Sequence, residues 1–118
     1  MYKLYGIKNC NTVKKAVDWL DEHKIPFEFH DYKKEGVTKT KLTSWTKQVS
    51  WEDLVNKKGT TWRSLSEEEK AKVKNATSAI TLMQEKTSVI KRPLIESDDK
   101  VVTLGFDEAE FENKYQRS

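Results

Sequence analysis

In the N-terminal part of the chain, an alternating hydrophobic pattern typical of a strand is followed by a pattern typical of a helix. Residues 2–5 are β-prone and alternate in polarity, and the turn-forming residues 6–12 follow them. Apolar residues then recur at spacings of three and four: Val13, Ala16, Val17 and Leu20. This pattern predicts a strand, a loop and an amphipathic helix that ends near His23. Cys10 then lies at, or just before, the first turn of that helix.

A second strand is predicted directly after the helix. Residues 25–32 again alternate in polarity, and Pro26 is tolerated because it stands at the beginning of the segment. A strand, a crossover helix and a second strand form a right-handed βαβ unit in which the two strands are parallel. The pattern therefore indicates an α/β fold.

The middle of the chain, from about residue 38 to residue 85, is predicted to be helical. Thr38 can cap a helix whose buried side carries Leu42, Trp45 and Val49. Other helix starts resemble capping boxes, in which a Ser or Asp is followed three residues later by an acid. These pairs are Ser50 with Asp53, Ser66 with Glu69, and Asp107 with Glu110.

Strand character returns in the last third of the chain. Thr87 to Ile90 and Val101 to Leu104 are β-prone, and a turn at residues 97–100 lies between them. We expect these two segments to pair as an antiparallel hairpin, followed by one short helix. The complete order predicts an α/β domain of residues 1–118, with a four-stranded mixed sheet and an inserted helical segment.

Composition and charge narrow the class of protein. Lysines and arginines number 22 against 19 acids, which gives a net charge of +3, and both signs are mixed along the sequence. This is typical of a solvated surface, so direct binding to nucleic acid is not expected. No apolar stretch approaches the roughly 18 residues of a membrane span, and the N-terminus lacks the apolar region of a signal peptide. We therefore expect a cytoplasmic protein with no membrane partner.

Cys10 is the strongest candidate for chemistry. The chain has one cysteine, so it cannot form an intrachain disulfide, and no metal site is expected. A helix N-terminus stabilises a thiolate, Lys8 adds a nearby cation, and Thr12 adds a hydroxyl donor. The amides of Asn11, Thr12 and Val13 are placed to bind an oxyanion. The alternative is that Cys10 is a small buried hydrophobic residue.

Arg92 is the second candidate, because only three arginines occur beside nineteen lysines. It stands directly before Pro93 at the start of a strand, and a cis peptide bond there would direct its side chain toward Cys10. The guanidinium would then bind an oxyanion or a carboxylate through its fork of donors. The alternative is a surface arginine followed by a turn proline.

Four segments resemble the motifs of the ArsC/Spx family. They are Leu4-Tyr5-Gly6-Ile7-Lys8-Asn9-Cys10-Asn11-Thr12-Val13-Lys14-Lys15-Ala16, Gly59-Thr60-Thr61-Trp62-Arg63, Ile90-Lys91-Arg92-Pro93-Leu94 and Leu104-Gly105-Phe106. The last three are similar to the YffB-type branch. The resemblance implies a thioredoxin-like fold, a nucleophile at Cys10 coupled to glutathione or glutaredoxin, and no tightly bound cofactor.

The chain departs from both better-understood branches of that family. Arsenate reductases use three arginines, of which Arg92 matches one, while the other two fall at Asn56 and near Gly105. Spx regulators carry a Cys-x-x-Cys switch, whereas Val13 stands at the second position here. Arsenate specificity and an intramolecular redox switch are therefore not implied.

Two functions follow from the sequence. The first is a glutathione-dependent thiol or oxyanion reductase, in which Cys10 attacks a small oxyanion or a disulfide and an external thiol resolves the adduct. Arg92 would orient the substrate. The second is a non-enzymatic regulator, similar to the Spx proteins that bind RNA polymerase. The segment Gly59 to Arg63 is either a loop over the site or a helix connector with Trp62 in the core.

Overall fold

A computed structural model of the chain describes residues 1–115. The strands are β1 Tyr2–Gly6, β2 Phe27–Asp31, β3 Leu94–Ser97 and β4 Lys100–Leu104. The helices are α1 Asn11–Glu22, α2 Tyr32–Glu35, α3 Lys39–Gln48, α4 Trp51–Leu54, α5 Thr60–Arg63, α6 Glu67–Ala71, α7 Ala76–Glu85 and α8 Glu108–Tyr115. The chain folds into two compact units. The sheet unit comprises Met1–Tyr32 and Arg92–Ser118, and the helical unit comprises Lys33–Lys91.

The sheet unit is built on a four-stranded mixed sheet in the order β2-β1-β3-β4. Strands β1 and β2 are parallel, with Leu4 opposite Phe29, and α1 makes the crossover between them. Strand β3 runs antiparallel to β1, so that Leu4 also lies opposite Ile95. The predicted βαβ unit and the mixed α/β sheet are confirmed.

The hairpin prediction is correct for its second strand and wrong for its first. Strand β3 is Leu94–Ser97, whereas Thr87–Val89 forms a 3₁₀ turn. The backbone of Thr87–Val89 is hydrogen-bonded within the helical unit instead. The amide of Asn56 donates to the carbonyl of Val89 at 2.7 Å. The hairpin turn places Asp98 and Asp99 at φ 52° and 65°, as a two-residue loop with positive φ requires.

Helix starts follow the predicted caps. Thr38 accepts from the amide of Lys41, and Ser66 forms a complete capping box with Glu69. Ser50 caps α4 through the amide of Glu52, and Asp107 accepts from the amide of Glu110 at 3.0 Å. A further capping box, formed by Asn75 and Ser78 at the start of α7, was not predicted.

The core of the sheet unit lies between α1, α8 and one face of the sheet. Trp19 and Phe111 meet edge to face with their ring centres 5.4 Å apart, and Tyr115 packs beside them. Leu4 and Ile95 contribute the fully buried sheet side of this cluster. Burying aromatic side chains here supplies much of the apolar area that holds α1 in place.

The helical unit has buried apolar residues of its own. Helices α3 and α7 pack together, and Trp45 and Met83 are fully buried. The carbonyl of Leu54 accepts from the amide of Lys91 at 2.7 Å, which joins the end of α4 to the end of the unit. Within residues 1–115 no helix is long and apolar enough to cross a membrane.

Candidate active site

Cys10 is the N-cap residue of helix α1. Its backbone is extended, at φ −104° and ψ 123°, and its carbonyl accepts the first helical bond from the amide of Lys14 at 2.9 Å. Its side chain is partly buried. The position expected for a thiolate at a helix start is therefore the position observed.

Arg92 and Pro93 lead directly into strand β3, and the peptide bond between them is cis. The carbonyl of buried Pro93 accepts a 2.8 Å hydrogen bond from the amide of Gly105, which follows β4 and has a φ of 89°. This bond attaches the Arg92 segment to the neighbouring strand. The Arg92 side chain lies within hydrogen-bonding reach of the Cys10 sulfur, so the structure brings together the two side chains expected to carry the chemistry.

Electrostatics at Cys10 favour the thiolate. Burial is the largest influence and by itself raises the pKa of the thiol. The amide of Val13, the Arg92 side chain and the amide of Thr12 act in the opposite direction, and together they hold the pKa of Cys10 below its ordinary value. Both amides belong to the first turn of α1, where N–H groups without a helical partner favour a negative charge.

The charges along α1 are reversed relative to those that stabilise a helix. Its first turn has no acid, its last turn has no base, and Lys14 and Lys15 instead follow closely after the N-cap. Acids at the start and bases at the end would each stabilise a helix by about 0.3–1 kcal/mol. The reversed arrangement concentrates positive potential at the end that carries Cys10.

The other predicted residues lie around the same helix start. Asn11, Thr12 and Val13 open α1, and Lys8 is an exposed residue of the preceding loop. Only Thr12 and Val13 contribute amides that act on the sulfur. Roles for Lys8, Asn11 and Pro93 in substrate binding stay predictions.

The sheet unit contains a buried hydrogen-bonded pair, Tyr5 and Glu96, that the sequence did not predict. The Tyr5 hydroxyl donates a 2.9 Å hydrogen bond to Oε2 of Glu96, whose exposed fraction is 3%. The ring of Tyr32 stacks on that of Tyr5 with centres 6.1 Å apart. Burial and the neighbouring Tyr5 raise the pKa of Tyr32, and the positive charge of Arg92 opposes them. Arg92 therefore lies within electrostatic reach of Tyr32. The sequence signal for the buried Glu96 was an acid inside the apolar segment Leu94–Ser97.

The groups gathered at the site are a thiol, a guanidinium and backbone amides of α1. Over residues 1–115, no three His, Cys, Asp or Glu side chains come together in a way that could hold a metal ion. The chemistry available is that of a thiolate beside a guanidinium and two backbone amides.

Comparison with known proteins establishes the family. The ArsC family model matches residues 5–114. The chain belongs to the ArsC family. An uncharacterized protein of Haemophilus influenzae is 44% identical over 112 residues, which cover 95% of this chain and 96% of that protein. The fold is thus the thioredoxin-like α/β fold that the resemblance implied.

Solved structures agree with this assignment. The YFFB (PA3664) protein is 41% identical to the ArsC-family chain, with a TM-score of 0.90 over 97% of this chain and 98% of that one. An arsenate reductase (ArsC) related protein from Brucella melitensis is 45% identical, with a TM-score of 0.77 over 98% and 95% of the two chains. The similarity to the YffB-type branch is confirmed.

The regulatory branch of the family is also related to the chain. The global transcriptional regulator Spx 1 of Lactococcus lactis is 28% identical over 114 residues, which cover 93% of this chain and 85% of that protein. The ArsC-family chain is therefore similar to both reductase-related and regulatory proteins, and the geometry around Cys10 must distinguish between the two functions.

Proposed function

We propose that this protein is a glutathione-dependent thiol reductase of the ArsC family, with Cys10 as its nucleophile. The observation that carries the proposal is the position of Cys10 at the N-cap of α1, beside Arg92. There the amide of Val13, the Arg92 side chain and the amide of Thr12 outweigh burial and hold the pKa of the thiol below its ordinary value. A thiolate is the nucleophilic form of cysteine, so these contacts favour attack on an electrophilic sulfur.

The reaction needs one sulfur from the protein and one from outside. The Cys10 thiolate attacks the glutathione sulfur of a mixed disulfide, the old S–S bond breaks, and the substrate leaves as a thiolate. A second glutathione thiolate then attacks the Cys10–glutathione disulfide, which regenerates Cys10 and releases oxidised glutathione. The substrate cysteine sulfur is thereby reduced to a thiolate. The one incoming glutathione thiolate is oxidised and ends in a disulfide with the glutathione that the substrate carried. Because the chain has one cysteine, the mixed disulfide waits for this second thiol.

Arg92 has two roles in this scheme. Its charge stabilises the attacking thiolate, and its planar fork of donors is suited to a carboxylate of glutathione. Among the described residues of the sheet unit, 1–32 and 92–115, Arg92 is the only arginine. Of the three arginines that the family resemblance assigns to arsenate reductases, only Arg92 is matched in this chain. Disulfides are therefore the favoured substrates over oxyanions such as arsenate.

Intact mass measurement tests the nucleophile directly. Protein incubated with oxidised glutathione should gain one glutathione, which dithiothreitol removes and which Cys10→Ser does not acquire. A glutathione-coupled assay should then show turnover of mixed disulfides above that of arsenate. A thiol that reacts only after denaturation would refute the reductase proposal.

A regulatory function is the second candidate, supported by the 28% identity to Spx 1 over most of both chains. In that case the protein would bind RNA polymerase without turning over a substrate. Purified polymerase and this protein should then co-elute in gel filtration, and the complex should persist in Cys10→Ser. Mixed-disulfide turnover without co-elution favours the reductase.

A further inference from the structure

A groove opens on the sheet unit between helix α1 and strand β2. Its volume is about 350 Å³, within the range of about 300–1,000 Å³ that is usual for ligand sites. The lining consists of four apolar side chains and two lysines: Val13, Val17, Phe27, Phe29, Lys8 and Lys14.

The groove begins beside the nucleophile. The amide of Val13 acts on the Cys10 sulfur, while the side chain of the same residue lines the groove. Lys14 donates its amide to the Cys10 carbonyl at 2.9 Å and also lines the groove. The groove therefore lies next to the start of α1, which carries Cys10.

The charge of the groove has one sign. Lys8 and Lys14 are both exposed, and no acid is among the lining residues. Across the described part of the chain, neither of these two lysines forms an ion pair. The cations are thus available for a negatively charged group of the occupant, and the groove is complementary to an acidic ligand.

One side of the groove is formed by residues of strand β2. Strand β2 is the outermost strand on its side of the sheet, and Phe27 and Phe29 remain partly exposed beside α1. An edge strand offers backbone donors and acceptors to an extended peptide, and alternate pockets then select its side chains. An extended segment of protein fits this arrangement better than a compact small molecule.

We propose that the groove binds an acidic, apolar segment of a protein whose cysteine carries glutathione. This rests on the proposed reductase function and names its substrate class. An apolar side chain of the segment packs on Val17 and Phe29, and an acidic side chain lies at Lys14. Cys10 attacks the glutathione sulfur, the S–S bond breaks, and the segment leaves with its thiolate while glutathione stays on Cys10. Free glutathione then restores Cys10 as above.

Two S-glutathionylated peptides test the assignment. Each peptide has a single cysteine. The residues beside it are aspartate and leucine in the first peptide and lysine and serine in the second. The rate of peptide-thiol release is measured in excess glutathione. The unmodified protein should prefer the first peptide by about tenfold, because charge and apolar contact both favour it.

Matched variants locate the preference. Lys14→Glu should reduce the ratio of the two rates about fivefold or more, since it replaces an attractive charge by a repulsive one. Lys15→Glu makes the same charge change at the neighbouring position, which does not line the groove, so it alters only the field around α1 and should lower the ratio much less than Lys14→Glu does. Val17→Ser tests the apolar floor and should also lower the ratio. Circular dichroism confirms folding, and exposed Lys14 contributes no core packing.

The outcomes separate the two proposals. Release of neither peptide thiol would refute the reductase function, and the groove assignment would fall with it. Release of both at equal rates, or equal effects of Lys14→Glu and Lys15→Glu, would overturn the groove assignment alone. Light scattering tests a further occupant. If the mass rises with protein concentration, and Val17→Ser abolishes that rise, the groove instead binds a second copy of the chain.

Discussion

Gly6 lies so close to Val13 that a methyl group at position 6 would stand 2.8 Å from Cγ2 of Val13. Val13 is itself only 1% exposed and packs in the core of the sheet unit. The end of β1 and the start of α1 are thereby held at a fixed separation, and Cys10 lies in the short connection between them.

Gly6→Ala should therefore destabilise the protein by about 1–3 kcal/mol through overpacking. The same change should alter the reactivity of Cys10 toward iodoacetamide, because α1 must shift. Urea unfolding measures the first effect, and alkylation rate against pH measures the second. Adding Val13→Ala should relieve the contact, so the double variant should be more stable than the sum of the single changes predicts. Strict additivity would mean that the two residues do not interact.

Cys10→Ser should abolish mixed-disulfide turnover while leaving thermal stability equal or higher. The cysteine makes no capping hydrogen bond, and serine is among the preferred N-cap residues, which stabilise a helix by about 1 kcal/mol relative to alanine. Melting curves should thus place Cys10→Ser above Cys10→Ala. Parallel loss of stability and activity in the serine variant would identify a structural cysteine.

Arg92→Lys should slow the reaction with glutathione-bearing substrates and raise the pKa of Cys10. Lysine keeps the charge but loses the planar fork of donors, so the hydrogen bond to the thiolate weakens. Ultraviolet thiolate absorbance followed against pH should show an inflection at higher pH than in the unmodified protein, and at still higher pH in Arg92→Ala. The exposed Arg63 of α5 provides the control, since Arg63→Lys should leave the inflection unchanged.

Gly105→Ala should disturb the site from a distance, through the bond from the Gly105 amide to the Pro93 carbonyl. Gly105 has a φ of 89°, which an alanine adopts at a cost of about 1–2 kcal/mol. Gly36→Ala is the matched control, because Gly36 also has positive φ, at 70°, and open space around it. Both variants should lose stability in urea, whereas only Gly105→Ala should change the alkylation rate of Cys10. Equal alkylation rates would show that the Pro93 segment does not depend on this bond.

Local patterns in the sequence were sufficient for the parts of the fold that form between near neighbours. The spacing of Val13, Ala16 and Leu20 predicted α1, and the residue before its first turn, Cys10, is indeed the N-cap. Capping by Thr38 and Ser66 was readable for the same reason, since each bond spans three residues.

Contacts between distant segments could not be read in this way. The segment Thr87–Val89 has strand propensity, yet its bond to Asn56 crosses more than thirty residues and directs it into the helical unit. The Tyr5 to Glu96 bond joins residues 91 positions apart. β-propensity indicates that a segment fits into a sheet, but it does not indicate which strand the segment pairs with.

The reversed charges of helix α1 also make the approach of a partner depend on ionic strength. Lys14 and Lys15 near the helix start, with acids such as Asp21 near its end, give the surface of α1 a field that draws anions toward Cys10. Such attraction acts over roughly 8–10 Å in physiological salt and raises the rate of encounter more than the strength of the final complex. The reversed charges cost the helix some of its own stability. Because salt screens the attraction, added salt should slow the reaction of acidic substrates, while neutral substrates keep their rate.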